Sequence, residues 1–374
     1  MHVLIAPQEF RGSLSADEAA NAIAKGLRRS HPDWTLDRCP MSDGGPGLLD
    51  ALRFAIKADT SAAIVRDPLG RKVLARYLRV RETGDVVLEA AQANGTWHVK
   101  PAERNPLFSD TAGVGDLLRD AIEATGAKRV IIGVGGSATT DGGAGMAQAL
   151  GARFTDMAGN ALPPGGAPLA DLARIDWQPP AFLAGVTVDI ATDVTNPLIG
   201  PNGAATVYGP QKGATPSDVD VLEAALVRYA AVVRRQLGVE IASLPGGGAA
   251  GGLAAGLVAF LGAKIGSGFD LVADAVHLHK RLAAADLVIT GEGSFDSQSL
   301  QGKVTGRVIE MARAMDKRVV VLAGRADASG VEVNTITALE PNAETAMTNA
   351  AALLANLTAL VDSPARRPNA RAQR

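Results

Sequence analysis

The sequence predicts an α/β protein of two domains, in which the two ends of the chain form one domain and the middle is inserted as the second. The chain has 374 residues, of which 47% are hydrophobic, and that is more than one average domain requires. Near both ends, apolar runs alternate with amphipathic stretches, which is typical of a parallel sheet covered by helices. Between residues 61 and 91, three apolar runs are separated only by turns, which predicts an antiparallel meander.

The N-terminal elements follow from these patterns. Residues 2–7 predict a strand, and the capping-box spacing at 15–18 starts an amphipathic helix. A second strand over 35–40 leads through the Gly-rich segment 42–47 into a helix over 46–56. The meander follows, so we expect a domain boundary after this helix, near residue 60.

The inserted region combines helices with one further buried strand. Residues 108–124 predict a helix, and the apolar run 129–132 predicts a strand before a helix over 146–150. A long helix starts after Thr215, which is followed by proline and then by an acid in the first turn.

The strand and helix alternation returns near residue 285. Residues 286–290 predict a strand, 291–298 a loop, 304–315 a helix and 318–324 the next strand. The simplest topology returns the chain to its first sheet. We therefore expect a discontinuous first domain at residues 1–60 and 285–362. The inserted second domain is expected at 61–284, and a disordered tail at 363–374.

Composition limits the classes of partner. The formal net charge is −2, so no strongly basic face is expected and nucleic acid is not predicted as a partner. The single cysteine, Cys39, excludes an intrachain disulfide framework. The N-terminus lacks a secretory signal, and no 18 consecutive residues are apolar, so we expect a soluble cytoplasmic protein without a membrane segment.

Five polar, glycine-rich loops carry the candidate chemistry. Most of them follow apolar runs, so they would lie at the ends of strands, where ligand sites gather. Any one of them alone is equally well explained as a tight turn. The loops are 42–47, 135–143, 192–203 with 209–215, 244–252 and 290–303.

The loop at 135–143 follows a strand and precedes a helix, as phosphate-binding loops do. Its glycines let the backbone approach an anion. Ser137, Thr139 and Thr140 add hydroxyl donors, and Asp141 is a candidate to hold a cation. The same stretch contains a weak dinucleotide fingerprint at 133–138, and a second weak match lies at 246–251.

Phosphoryl transfer accounts for the whole set of loops better than a dinucleotide site does. It requires donors around phosphates, Mg²⁺ held by carboxylates, and a cation or base at the acceptor. No segment matches the Walker A pattern, and neither a zinc-hydrolase motif nor a nucleophile elbow is present. The candidate carboxylates are Asp43, Asp141, Asp193, Glu292 and Asp296, and the candidate cations are Arg11, Lys212 and Lys303.

Several long blocks of the chain resemble the bacterial glycerate kinase family in sequence and in order. They are GVGGSATTDGGAGMAQALGARF, DVTNPLIGPNGAATVYGPQKGA, LPGGGAAGGL and DLVITGEGSFDSQSLQGKV, with looser counterparts in IAPQEFRGSLSA and RNPLFSDTAGVGDLL. The resemblance implies a discontinuous flavodoxin-like domain, an inserted mixed-sheet α/β domain and an active site in the cleft between them. It also implies ATP and Mg²⁺ as cofactors, glycerate as the small-molecule substrate, 2-phosphoglycerate rather than 3-phosphoglycerate as product, and a monomer or homodimer.

Residue roles are carried over by motif. The resemblance implies catalytic roles for Arg11, Asp193, Lys212 and Asp296, with Asp193 and Asp296 as magnesium ligands. It implies acceptor binding by Asp43, Gly44, Gly45 and Asn196. Contacts to ATP are implied for Gly135, Gly136, Ser137, Thr139, Asp141, Gly291, Glu292, Gly293 and Lys303.

The chain departs from the family pattern in three places, one of which is Val114 in the segment that is usually GTG. Arg11 replaces the lysine of the usual PDSFK segment, and Pro46 and Leu48 replace the acid and hydroxyl of the usual DGGEGT segment. These changes fall where the acceptor would bind, so they bear on the acceptor more than on the phosphoryl donor. Two alternatives stay open at this stage: a hydroxy-acid dehydrogenase that uses NAD(P), and a non-catalytic sensor of glycerate or nucleotide.

Overall fold

The computed structural model describes residues 1–297, 299–300, 303–328 and 330–361, except for the side chains of residues 54 and 55. The chain divides into two compact units. Unit 1 contains residues 1–42 and the chain from residue 273 onward, and unit 2 contains residues 43–272. The tail expected at 363–374 lies outside the described residues.

Strands occur in both units. They are β1 His2–Ile5, β2 Thr35–Arg38, β3 Ala58–Arg66, β4 Lys72–Val80, β5 Val86–Glu89, β6 Arg129–Gly133, β7 Arg153–Thr155, β8 Arg174–Asp176, β9 Thr187–Ala191, β10 Lys264–Gly266, β11 Leu287–Phe295, β12 Arg318–Ala326 and β13 Glu332–Thr335.

Helices connect and cover these strands. The α-helices are α1 Ala16–Ser30, α2 Leu48–Ala55, α3 Ala91–Asn94, α4 Ala112–Thr125, α5 Ala144–Ala149, α6 Ala204–Tyr208, α7 Pro216–Leu237, α8 Leu253–Leu261, α9 Gly268–Ala275, α10 Leu278–Ala284, α11 Val304–Ala314, α12 Ala343–Thr348 and α13 Ala350–Thr358. Short 3₁₀ turns lie at Thr96–His98, Pro101–Glu103, Ala167–Asp171, Ala181–Leu183, Pro210–Lys212, Ala249–Gly252 and Ile336–Ala338.

Unit 1 contains a parallel sheet of five strands in the order β13-β12-β11-β1-β2. Counted within the unit, this is the 2-1-3-4-5 order of flavodoxin-like folds. The central strands are continuous apolar runs because both faces of the sheet are buried. The apolar faces of α1 and α13 form a core with β1, β11 and β12. The parallel α/β domain predicted for the chain ends is confirmed.

The strand β11 is longer than the sequence predicted. Residues 291–295 continue the strand, whereas we expected a loop from residue 291, and they pair with β12 as far as Phe295 opposite Ala326. The glycines that suggested a loop serve close strand packing instead. A Cβ at Gly291 would overlap the carbonyl of Leu322 on the neighbouring strand.

Unit 2 contains a mixed sheet of six strands in the order β10-β9-β6-β5-β4-β3. The pairs β3–β4 and β4–β5 are antiparallel, which confirms the predicted meander. The strands β5, β6, β9 and β10 are parallel to one another. The helices α4 and α8 pack their apolar residues against this sheet. The helix α7 contributes Tyr229 to a second apolar cluster, which also contains Phe154.

The division between the units differs in position from the expected boundaries. It lies at 42/43 and 272/273 rather than at 60/61 and 284/285. The helix α2 belongs to unit 2 because it packs against β4 and β5, and α10 belongs to unit 1 because it packs against β1 and α11. A β-loop-α pattern at residues 35–56 does not indicate which sheet the helix covers.

Two helix starts confirm the capping signals of the sequence. Ser15 and Glu18 form a reciprocal capping box at α1, and Thr215 and Asp218 form another at α7, where Pro216 occupies the first turn. In the part of the chain that the structure describes, no helix combines the length and apolarity needed to cross a membrane.

Candidate functional site

The polar loops of unit 2 gather where its parallel strands end. Glu89, Gly133, Ala191 and Gly266 are the last residues of β5, β6, β9 and β10, and they are paired or adjacent across the sheet. We call this carboxyl end of the sheet, with the loops that leave it, the unit 2 edge. Ligands of open α/β sheets bind at such an edge.

Two of the predicted loops contact each other at the unit 2 edge. The backbone of Gly44 lies against the carbonyl of Ala191 and against Gly133, and Gly45 and Pro46 lie against Gly135 and Gly136. Asp43 accepts a hydrogen bond from the Gly45 amide at 3.0 Å, which shapes the turn. The structure therefore brings together segments 43–45 and 135–136, which are predicted to bind the acceptor and ATP, respectively.

Asp193 lies at the same edge, immediately after β9. Its carboxylate accepts hydrogen bonds from the amides of Gly268 and Phe269, each at 3.1 Å, at the start of α9. Burial raises the pKa of Asp193, the hydroxyl of Ser267 opposes the rise, and the nearby Asp43 carboxylate adds to it. Asp43 and Asp193 thus form a pair of neighbouring carboxylates.

This pair is suited to a hard divalent cation. Mg²⁺ commonly binds proteins through one or two carboxylates and takes waters and substrate phosphates as its other ligands. Among the described residues, no group of three or more acidic, histidine or cysteine side chains could hold a metal ion. Magnesium binding by Asp193 and Asp296 stays a prediction, and Asp296 belongs to unit 1.

Asn196 supports its own loop. Its Oδ1 accepts a hydrogen bond from the hydroxyl of Tyr208 at 2.8 Å, and its Nδ2 donates to the carbonyl of Asn202 at 2.9 Å. Both ends of the amide are used within the segment 196–208. Its predicted contact with the acceptor stays a prediction.

Backbone hydrogen bonds hold the loop at 135–143 against the segment 94–96, which joins α3 to the next 3₁₀ turn. The Ala138 amide donates to the Asn94 carbonyl at 2.8 Å, and the Thr96 amide donates to the Gly136 carbonyl at 3.0 Å. Asn94 also donates from its side chain to Thr139 Oγ1 at 3.2 Å. This loop has a defined conformation because strand-like contacts with the segment 94–96 hold it.

Lys212 contacts the same loop from a different element. Its Nζ donates to the Thr139 carbonyl at 2.5 Å and to Ser137 Oγ at 3.1 Å. The residue is only 3% exposed. Burial lowers the pKa of Lys212 to about 7, and the nearby Asp141 carboxylate opposes the shift.

Asp141 is fully buried and used as a cap. Its carboxylate accepts hydrogen bonds from the amides of Gly143 at 3.1 Å, Gly145 at 3.0 Å and Thr111 at 2.9 Å, and from the Thr111 hydroxyl at 2.8 Å. Burial raises the pKa of Asp141, and these donors oppose the rise. The carboxylate stabilises the start of α5, so a structural role accounts for its contacts. A contact with ATP stays a prediction.

The uncharged loop 244–252 supports the loop at 135–143. The amide of Gly142 donates to the Gly251 carbonyl at 3.0 Å. Gly251 has φ +69°, and a Cβ there would overlap the Thr139 carbonyl and approach Lys212 Nζ to 2.8 Å. The glycines of this loop allow backbone contact, which explains a motif that carries no polar side chain.

Sequence analysis missed two buried polar residues at the unit 2 edge, Glu89 and Asn94. Glu89 is 3% exposed and accepts a hydrogen bond from the Leu49 amide at 2.8 Å, at the start of α2. Burial raises the pKa of Glu89 to about 7. The sequence offered one signal for Glu89: it is the single acid of an apolar strand, β5, and it ends that strand just before a short helix.

Unit 1 presents a comparable edge where β1 ends beside β11, which continues past it. The Gln8 amide donates to the Gly291 carbonyl at 3.0 Å, and Gln8 Nε2 donates to Glu292 Oε2 at 3.3 Å. Strand order reverses between β1 and β11, which is the usual binding position in this topology. Burial raises the pKa of Glu292, while the Thr305 and Ser299 hydroxyls oppose the rise.

The remaining predicted residues of unit 1 lie near this edge. Asp296 Oδ1 accepts a hydrogen bond from the Ser299 amide at 3.1 Å, and both Asp296 and Lys303 act on the pKa of Glu292 through their charges. Lys303 directly precedes α11. The Arg11 side chain is 91% exposed, with its Nε 3.6 Å from Glu9 Oε1.

Neither dinucleotide fingerprint has the structure it needs. The fingerprint at 133–138 follows β6, but no helix begins there, since α5 begins only at Ala144. Asp156 follows the fingerprint at about the distance expected of a ribose-binding acid, but its Oδ1 accepts bonds from the Ala158 and Asn160 amides at 2.9 Å. The second match at 246–251 follows no strand. Both lack the strand-turn-helix context of a dinucleotide site.

Comparison with known proteins agrees with this geometry. Residues 3–367 match the model of the glycerate kinase family. The chain is 44% identical over 323 residues to the glycerate kinase of Halalkalibacterium halodurans, covering 86% of this chain and 85% of the relative. It is 43% identical over 325 residues to the glycerate 2-kinase of Escherichia coli K12, covering 87% and 85%.

A solved structure has the same fold. A crystal structure assigned to glycerate kinase 2 from Salmonella typhimurium LT2 superposes with a TM-score of 0.81 at 43% identity, covering 96% of each chain. Both the sequence match and the structural match extend over nearly the whole chain. The chain therefore belongs to the glycerate kinase family, which is a family of enzymes.

Proposed function

We propose that this protein transfers the γ-phosphoryl group of ATP to a hydroxyl of glycerate, forming phosphoglycerate and ADP. The observation that carries the proposal is the family match over residues 3–367. The positions of the predicted residues support it. Glycine-rich loops, carboxylates and a buried lysine gather at the carboxyl ends of parallel strands, as sites for phosphorylated ligands do.

In the proposed reaction the protein positions the reactants and balances charge. Phosphoryl transfer needs little covalent chemistry from the enzyme, so rate enhancement comes from alignment and from electrostatic stabilisation. We assign ATP phosphates to the loop 135–143 and to the segment 290–303, which begins within β11. Segment 43–45 and Asn196 are assigned to glycerate, and the exposed Arg11 is a candidate to pair with an anionic group.

Asp193 and Asp296 are the proposed magnesium ligands, and Asp43 is a carboxylate neighbour of Asp193. When bound, Mg²⁺ neutralises charge on the transferred phosphoryl group. The α9 amides fix the orientation of the Asp193 carboxylate. An oriented carboxylate loses less conformational freedom when it binds a cation.

The position of the new phosphate is a finer proposal. We propose the 2-hydroxyl, which gives 2-phosphoglycerate. The support is the name of the Escherichia coli relative, a glycerate 2-kinase that is 43% identical to this chain.

The proposal is tested by ADP release from purified protein with Mg²⁺-ATP and each of three acceptors: D-glycerate, D-lactate and glycolate. We expect ADP release with D-glycerate well above the rate without acceptor. Lactate lacks the 3-hydroxyl and glycolate lacks the third carbon, so both probe the binding of the acceptor. Release that is equal with and without D-glycerate would contradict the assignment.

A further inference from the structure

Lys212 has an uncommon environment for a lysine. It lies in the short 3₁₀ turn Pro210–Lys212 and is 3% exposed. A buried amine must find hydrogen-bond acceptors. Lys212 finds two, the Ser137 hydroxyl and the Thr139 carbonyl, and both belong to the loop at 135–143.

The contact with Lys212 determines which hydrogen bonds the Ser137 hydroxyl can still form. A hydroxyl has one hydrogen to donate and two lone pairs to accept with. The amine of Lys212 donates to Ser137 Oγ, so it uses a lone pair and leaves the Ser137 hydrogen available. An amine keeps at least two N–H groups in either protonation state, so both of its donations persist across the titration of Lys212.

Ser137 is better placed than Thr139 to use its hydrogen on a ligand. Both hydroxyls accept one hydrogen bond, but Thr139 is fully buried whereas Ser137 retains 6% exposure. Ser137 directly follows Gly135 and Gly136, the residues that contact segment 45–46 at the unit 2 edge. Ser137 therefore belongs to the part of the loop 135–143 that lies beside segment 43–45, which is predicted to bind the acceptor.

From this geometry we propose that Lys212 is a positioning residue that orients the Ser137 hydroxyl as a hydrogen-bond donor to an anionic oxygen of the substrate. The shared chemistry is a phosphate oxygen of ATP or the carboxylate of glycerate. The inference rests on the proposed function, and it assigns to Lys212 a role that acts through Ser137 and involves no direct contact with the substrate.

A double-mutant cycle tests the inference. The KM for ATP and the KM for D-glycerate are measured separately in the wild type, Ser137→Ala, Lys212→Met and the double variant. We expect Ser137→Ala to raise one of the two values about tenfold or more, as loss of a hydrogen bond to a charged group does. The affected KM identifies the ligand. Lys212→Met should raise the same KM, and in the Ser137→Ala background it should add nearly nothing.

The variants Ser137→Thr and Lys264→Met are the controls. Ser137→Thr keeps a hydroxyl, so the effect of Lys212→Met should reappear in that background. Lys264 is an exposed lysine at the start of β10, and its replacement should leave both KM values unchanged. Additive effects of Ser137→Ala and Lys212→Met would overturn the inference, because they would show that Lys212 does not act through Ser137.

Two further outcomes separate this inference from the proposed function. Lys212→Met leaves the Thr139 carbonyl without its amine, so it can fail to fold; in that case Ser137→Ala with both KM values unchanged is sufficient to overturn the inference. If the wild type releases no ADP with glycerate, the proposed function fails, and the same cycle is measured by calorimetric binding of ATP and of glycerate. A wild type that binds neither anion overturns the inference as well.

Discussion

Single residues of the unit 2 edge show how burial changes the role of a polar side chain. Lys212 was a candidate catalytic cation in the sequence, and in the structure its amine is sequestered beneath a loop. Asp141 was a candidate cation ligand, and its carboxylate is surrounded by backbone donors. Sequence alone cannot distinguish these environments, because lysine and aspartate are mostly exposed and their burial depends on contacts with distant segments.

Asp296 carries a prediction on activity. Asp296→Asn removes the negative charge but keeps Oδ1, which accepts from the Ser299 amide, so the fold should persist. If Asp296 binds Mg²⁺ or accepts a proton, kcat for ADP release should fall by about 10²–10⁴-fold. Asp316→Asn is the matched control, since Asp316 is an exposed acid of the same unit at φ +55°, where asparagine is tolerated. A kcat near that of the control would remove Asp296 from the site.

Glu89 carries a prediction on pH dependence. Its pKa is about 7 in the fold against an ordinary 4.5, so between these values the folded state binds more protons than the unfolded state. Stability should therefore decrease as pH rises from about 4.5 to 7. The decrease is on the order of 3 kcal/mol, given about 1.4 kcal/mol for each pKa unit.

Urea unfolding at pH 5 and pH 8 measures this effect. Glu89→Gln cannot titrate and keeps an oxygen for the Leu49 amide, so it should lose less stability than the wild type between the two pH values. An identical loss in both proteins would show that Glu89 is not the titrating group.

At the scale of elements, the sequence predicted the helices better than the ends of strands. The starts of α1 and α7 followed from capping residues, whose hydrogen bonds are local. The end of β11 did not follow, because Gly291 and Gly293 resemble turn residues and their strand pairing depends on β12, which is distant in sequence. The loop 244–252 likewise gave no sign that its role is to pack against another loop.

That packing role gives a prediction on stability. Gly251→Ala introduces a Cβ at φ +69° that overlaps the Thr139 carbonyl, so the free energy of unfolding should fall by about 3 kcal/mol or more. Gly238→Ala is the matched control, because Gly238 has φ +72° and the Cβ of an alanine there would meet no atom within 4 Å. At that position the cost should be about 1 kcal/mol. Equal losses in the two variants by chemical denaturation would contradict the packing role.

At the scale of the whole molecule, the alternation of strands and helices was sufficient to predict two α/β units and the return of the chain to its first sheet. Those predictions depend on patterns that repeat over many residues. The positions of the boundaries depend on which sheet α2 and α10 cover, and amphipathic helices show only that one face is buried. Acceptor identity is the least predictable property, since Arg11, Pro46 and Leu48 depart from the usual family segments.

The central claim is that the protein phosphorylates glycerate, and proton-coupled phosphorus NMR of the product tests it most directly. The protein is incubated with Mg²⁺-ATP and D-glycerate, and new phosphate-ester signals are compared with a reaction without glycerate. We predict one new signal split into a doublet, because the phosphorus of 2-phosphoglycerate is coupled to the one hydrogen on its ester carbon. A triplet would place the phosphate on the CH₂ carbon and contradict the proposed position, and no glycerate-dependent signal would contradict the proposed function itself.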